Sequence, residues 1–186
     1  MALPVTPPGT TRTIEIADYS PAWPETFAGL SSVIFEALGG LALRIEHVAG
    51  TSVPRLAAKP IIDLDIVIGS RRSLPSVVET LAEIGYFHEG DGGIPGREQF
   101  GREDGEVPRD GTGRQWPDHH LYVCAQDSEE LRRDLALRDH LRGHPDSAFR
   151  YEELKRDLAA HHPHDIDSYV EGKSEFVEQA LSAART

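Results

Sequence analysis

Lys59-Pro60-Ile61-Ile62-Asp63-Leu64-Asp65-Ile66-Val67-Ile68 is the stretch on which the fold of this chain turns. A near-continuous β-branched run of this length reads as a strand buried on both faces. Residues two apart on a strand share a face, so Asp63 and Asp65 present paired carboxylates on one side. Burying a carboxylate without a partner costs roughly several kcal/mol, and a divalent cation is a usual partner. The pair is therefore a candidate magnesium site, with ion pairs to arginines or exposure at a strand end as the plain alternative.

Working outward, the small polar turn Ala49-Gly50-Thr51-Ser52 ends eleven residues before Asp63. Gly50 allows close approach of the backbone, and Thr51 and Ser52 offer hydroxyls and backbone N–H groups to a phosphate. A turn of this kind before an Asp-x-Asp strand is similar to the way nucleotidyltransferases of the polymerase-β type are built. Metal-assisted nucleotidyl transfer needs carboxylates that hold cations against the attacking and leaving oxygens. Lysine is scarce, and Lys59 is the only one before Lys155. Lys59 and Arg55 are candidates to meet phosphate charge near the turn, with exposed loop cations as the plain alternative. Arg44 and Glu46, on the strand before the turn, share a face and either pair with each other or serve a catalytic role.

The composition sets limits. A chain of 186 residues with 39% hydrophobic and 27% charged residues has the make-up of one soluble globular domain. Its net charge of −12 argues against a general nucleic-acid surface, which needs clustered Lys and Arg. The single cysteine, Cys124, excludes an internal disulfide, fits a cytoplasmic location, and reads as a buried thiol. No apolar run is long enough to span a membrane, and the first residues lack the pattern of a signal peptide.

Along the chain, residues 1–12 read as a disordered leader and 13–186 as one domain. That domain divides into an α/β core over 13–125 and a helical part over 126–186. Thr13-Ile14-Glu15-Ile16 alternates like a short strand. A helix opens at Pro24 and ends at Gly39-Gly40, and a strand spans 43–48 before the turn. A helix over 74–84 follows the Asp strand. Residues 89–117, rich in Gly, Pro and charge, read as a hairpin arm or substrate loop. A strand covers 118–124, and three helices follow, the last over 168–184. The fold class is α+β: a mixed sheet with flanking helices and a helical C-terminal third.

Further candidates lie around this core. Asp118-His119-His120-Leu121-Tyr122 places His120 on one face with Tyr122, as a third ligand or a base, with a hydrogen-bonded strand histidine as the plain reading. Glu98, on the expected arm, is a rival third carboxylate, and Arg97 beside it a second phosphate-neutralising cation. Arg138-Asp139, Lys155, Tyr169 and Lys173 on the last helices could close over the site, and solvated faces or helix-to-helix ion pairs explain them equally well. His161-His162-Pro163-His164 looks like a metal cluster but reads better as a solvated connection.

Several motifs together resemble the GrpB family. They include Tyr19-Ser20-Pro21-Ala22-Trp23-Pro24, Ile45-Glu46-His47-Val48, Ala58-Lys59-Pro60-Ile61-Ile62-Asp63-Leu64-Asp65, and Gly93-Ile94-Pro95-Gly96-Arg97-Glu98. His119-His120-Leu121-Tyr122-Val123, Leu137-Arg138-Asp139-His140-Leu141, and Pro163-His164-Asp165-Ile166 with Tyr169 and Lys173 continue the match over residues 14–180. The resemblance implies a nucleotidyltransferase-like fold of the polymerase-β superfamily. It implies Mg²⁺ at Asp63 and Asp65, phosphate at Gly50, Thr51 and Ser52, and charge neutralisation by Lys59 and Arg97. His120 or Glu98 would be the third ligand or base. The expected activity is transfer of a nucleoside monophosphate from an NTP to a small-molecule or protein acceptor, with neither bulk nucleic acid nor membrane as partner. A non-catalytic binding or folding-assisting module, or a specialised small-metabolite transferase on the same pocket, are the alternatives. This chain departs from the family pattern at Ala49-Gly50, where Gly-Ser is usual, at Arg55, where Gly is common, and at Tyr122, where a second histidine is usual.

Overall fold

The computed structural model describes residues 13–184, so the leader expected over residues 1–12 lies outside the described residues. Five strands form one sheet: β1 (Ala42–Val48), β2 (Ile62–Ile68), β3 (Tyr86–Gly90), β4 (Arg97–Arg102) and β5 (His119–Ala125). Their order is β1-β2-β5-β4-β3, with β2 and β5 parallel and the other pairs antiparallel. The register breaks once on each edge pair, between Ala42 and Arg44 on β1 and between His88 and Gly90 on β3.

The apolar alternation of β2 and β5 assigns the two faces. Ile62, Leu64, Ile66 and Ile68, with Leu121, Val123 and Phe100, pack against α1 (Ala22–Leu38) and α2 (Leu74–Glu83) in the main core. Their helical stripes supply Leu30, Ile34, Val77 and Leu81, all fully enclosed. Asp63, Asp65 and Val67 point the other way, in register with His120, Tyr122 and Cys124. That face is covered at one end by Leu131 and Leu135 of α3 (Glu129–Gly143), which close over Val67 and Cys124. Cys124 is buried there, and that burial pushes its thiol pKa upward.

The helical third continues through α4 (Pro145–His161), α5 (Ile166–Glu171) and α6 (Ser174–Ala184). Ser128 accepts from Leu131 N and caps α3, and Gly143 ends it before Pro145 opens α4. The last expected helix is two, separated at Gly172-Lys173. This third packs on the segment after β1. Val53 and Leu56 sit against Leu141 and Tyr151, while Ile14 sits against Ala159 and Tyr169.

Two expectations are corrected. Residues 13–16 form no named strand; the segment makes a single bridge, Ala17 to Ala58, and Ile14 N donates to Pro163 O. The expected arm over 89–117 contains β4, an interior strand of the sheet. Its polar residues are buried because they have partners, such as Gln99 donating to Glu89 at 2.6 Å. No helix among the described residues is long and apolar enough to cross a membrane.

Candidate functional site

The turn after β1 holds a strained backbone. Ala49 has φ 57° and ψ −161°, a region that almost exclusively glycine occupies. Gly50 follows because there is no room for more: a Cβ added there would meet the Ala58 Cβ at 2.8 Å. Ser52 Oγ donates to Ala49 O at 2.5 Å and Thr51 Oγ to Ile61 O at 3.2 Å. Thr51 has a single hydroxyl proton, so His47 Nε2, 3.0 Å away, must be the donor in that contact. Burial holds His47 neutral, its pKa lowered to about 4.

The helical third grips this turn from above. Arg142 donates from Nε and Nη2 to Ser52 O at 3.0 and 2.8 Å. On α4, Glu152 accepts from Ala57 N at 3.0 Å, and Lys155 donates to Ala57 O. Between turn, sheet and helices lies a cavity of about 120 Å³.

Of the residues singled out from the sequence, Gly50, Thr51, Lys59, Asp63, Arg97 and His120 line this cavity together. Asp63 Oδ1 accepts from His120 Nδ1 at 2.9 Å. A carboxylate only accepts, so Nδ1 carries the proton and Nε2 is left as the ring's proton acceptor. Arg97, on β4, stacks over the Tyr122 ring at 4.2 Å. Lys59 lies 5.7 Å from the centre of the Tyr169 ring, and burial lowers its pKa. From the helical third, Arg138, Lys155, Tyr169 and Lys173 also line the cavity, while Asp139 does not. Arg138 additionally pairs with Glu46 at 2.7 Å and Asp139 at 2.8 Å, and Arg44 with Glu46 at 2.8 Å.

Three residues fall elsewhere. Ser52 is turned onto Ala49 O and is not in the lining. Asp65 has no exposed surface and stands behind the lining, both its oxygens without a hydrogen-bond partner. Glu98 corrects the expectation of a nearby third carboxylate. It is opposite Val123 on the helix-packed face, bound to Arg71 at 2.6 Å and to His88 at 2.8 Å. A strand residue one step from Arg97 must point away from it, and the expected irregular arm concealed that parity. The other departures also resolve: Arg55 adopts φ 68° and is exposed, outside the cavity lining, while Tyr122 lines the cavity beneath Arg97.

Sequence reasoning missed Asp134 on α3. It lines the cavity, and burial with Glu130 and Asp63 nearby raises its pKa to about 7 against the opposing charge of Arg97. Burial and Asp134 push Asp65 upward too. The signal was available: Leu131, Asp134, Arg138 and Leu141 recur at helical spacing on one stripe.

Whether a divalent cation fits can be judged from the donors. Asp65 has two hard oxygens that are buried without partners beside a second carboxylate, which suits a magnesium-like ion. Among the described residues no three His, Cys, Asp or Glu side chains stand together in metal-holding geometry, the 161–164 histidines included. Protein ligands alone would be too few, as is usual for magnesium completed by substrate phosphates and water.

A family profile described as GrpB protein matches residues 13–183. The UPF0157 protein YqkA of Bacillus subtilis strain 168 is 34% identical over 174 residues, covering 94% of this chain and 48% of YqkA. This chain thus spans about half the length of that relative. The UPF0157 protein BH1888 of Halalkalibacterium halodurans is 32% identical over 171 residues, covering 92% of this chain and 82% of that protein. Among solved structures, conserved protein GrpB from Enterococcus faecalis superposes with a TM-score of 0.76 at 32% identity, over 91% of this chain and 96% of that one.

Proposed function

The chain belongs to the GrpB protein family, and on that premise we propose that its cavity binds a nucleoside triphosphate with Mg²⁺ and transfers the nucleoside monophosphate to a small-molecule or protein acceptor. The observation that carries this reading is a single cavity joining the Asp63–His120 pair to a wall of cationic side chains. Asp63 would hold the cation from the cavity side, with Asp65 behind it. When bound, the cation would offset phosphate charge and favour ionisation of the attacking oxygen.

The chain's own residues have distinct tasks. His120 fixes one oxygen of Asp63 and presents Nε2 as the base that takes the proton of an acceptor hydroxyl. That oxygen forms the new bond to the α-phosphorus as the bond to pyrophosphate breaks, and pyrophosphate leaves with its charge. Lys59 and Arg97 face the negative charge that accumulates on the phosphates.

A second reading has its own support. Both turn hydroxyls are engaged internally and Gly50 has no side chain, which favours a module that binds a nucleotide or metabolite without turning it over.

Calorimetric titration of ATP, GTP, CTP and UTP with Mg²⁺ into wild type and Asp63→Asn/Asp65→Asn tests both. Micromolar binding that needs metal and aspartates, followed by pyrophosphate release with an acceptor, is expected. Binding without turnover across an acceptor screen would favour the second reading, and no binding to any nucleotide would sink the transferase mechanism and leave the binding module, with a metabolite as its ligand, in the lead.

A further inference from the structure

The chain contains three lysines against sixteen arginines, and all three lysines line the same cavity. They come from separate places: Lys59 from the segment before β2, Lys155 from α4, and Lys173 from the break before α6. Lys59 and Lys173 share one aromatic ring, lying 5.7 and 4.4 Å from the centroid of Tyr169. Lys155 lies 4.9 Å from the Tyr151 ring, and its Nζ would be 3.4 Å from a Cβ placed on Gly50. Lys155 and Lys173 are buried, at 4% and 5% exposure.

Three ammonium groups collected in one place repel one another, and burial removes the water that would screen them. Lys173 carries both costs: burial first, then Lys59 and Lys155, hold its pKa down to about 7. Among the described residues none of the three forms an ion pair, whereas Arg138 on the same lining has two carboxylate partners. The lining sets five cationic side chains against Asp63 and Asp134, inside a protein of net charge −12. A cationic cavity in an acidic chain focuses its potential on small anions and leaves bulk nucleic acid repelled by the surface. In a chain that elsewhere uses arginine, the ammonium group is kept where a compact point charge is needed. That group suits a phosphate oxygen reached from several directions, while guanidinium demands planar, bidentate geometry.

We infer that Lys59, Lys155 and Lys173 form a polyphosphate subsite, which replaces the Thr51 and Ser52 hydroxyls as the holder of phosphate in this chain. The inference rests on the nucleotide reading above for the physiological ligand, though not for the anion site itself. It makes the helical third half of the binding site. The hydroxyls of the turn are already engaged, so phosphate is taken from the opposite wall.

The test uses inorganic tripolyphosphate with EDTA, by calorimetry on the full chain. Wild type should bind it, and Lys155→Met and Lys173→Met should each weaken binding at least tenfold. Arg72→Met, which removes an exposed charge away from the cavity, should change it less than twofold. A second measurement needs no variant: reductive methylation followed by peptide mass spectrometry. Tripolyphosphate should slow modification of Lys173 at least tenfold. No binding to wild type, lysine variants within twofold of it, or an unprotected Lys173 would each overturn the subsite. Failure here with intact Mg²⁺–nucleotide binding would remove the lysine subsite alone. Tripolyphosphate binding without any nucleotide binding would remove the nucleotide reading alone.

Discussion

His120 Nδ1 lies 2.9 Å from Asp63 Oδ1, across the parallel pairing of β2 with β5 that sets the two residues side by side. A histidine that holds a ligating carboxylate in this way typically accounts for 10–100-fold in metal affinity. His120→Ala is expected to weaken Mg²⁺–ATP binding by at least about tenfold while leaving metal-free tripolyphosphate binding within twofold. Equal losses for both ligands would show that the substitution had deformed the cavity and would sink the positioning role.

Asp134 gives the protein a pH signature. Its folded pKa is raised from 3.8 to about 7, chiefly by burial, so the folded state binds this proton more tightly than the unfolded chain does. Stability from this group is full below pH 3.8 and is lost as pH rises towards 7. Without metal, Asp134→Asn should therefore raise Tm at pH 8 by about 4 °C or more and change it little at pH 4. Thermal melts at the two pH values decide the matter, and a pH-independent difference would contradict the assignment.

The strained turn predicts a gain and a loss. Ala49→Gly relaxes a conformation that costs about 1–3 kcal/mol, offset by about 0.5–1 kcal/mol of glycine entropy. A net gain of about 1 kcal/mol is expected in urea unfolding. Gly50→Ser drives a Cβ to 2.8 Å from that of Ala58, so it should destabilise by about 1–3 kcal/mol. Adding Ala58→Gly should recover most of that loss, and additivity of the two changes would refute the clash.

Anion binding should be linked to proton uptake. The depressed pKa values of Lys155, about 8, and Lys173, about 7, leave both partly neutral at pH 8. A bound polyphosphate favours their charged forms, so affinity should rise as pH falls from 9 to 6.5. Titrations at pH 8 in Tris and in HEPES, whose ionisation enthalpies differ, should report protons taken up. Identical heats in the two buffers would exclude that linkage.

The parity of β2 was legible because every residue around Asp63 and Asp65 is apolar and β-branched or Leu, which leaves only one face for the carboxylates. β4 was hidden because Arg97, Glu98 and Gln99 look solvated. The tertiary partners Arg71 and His88 make the burial of Glu98 tolerable, and Glu89 does the same for Gln99. Asp134 was overlooked for a related reason: it shares a helical stripe with Leu131, Arg138 and Leu141, but charge on several other sides of the helix masks that stripe. The turn hydroxyls were visible in the sequence, but their inward orientation depends on an Ala49 backbone conformation that propensity would not propose.

The contacts that close the cavity join residues far apart in the chain: Arg142 reaches back 90 positions to Ser52, Glu152 95 and Lys155 98 to Ala57. Closing such loops costs entropy before the contacts that reward it can form, and this slows assembly. The pocket is therefore expected to be among the last features to mature during folding. Ligand occupancy then serves as a clock for completion of the native state, and should lag behind recovery of helical signal in a refolding experiment.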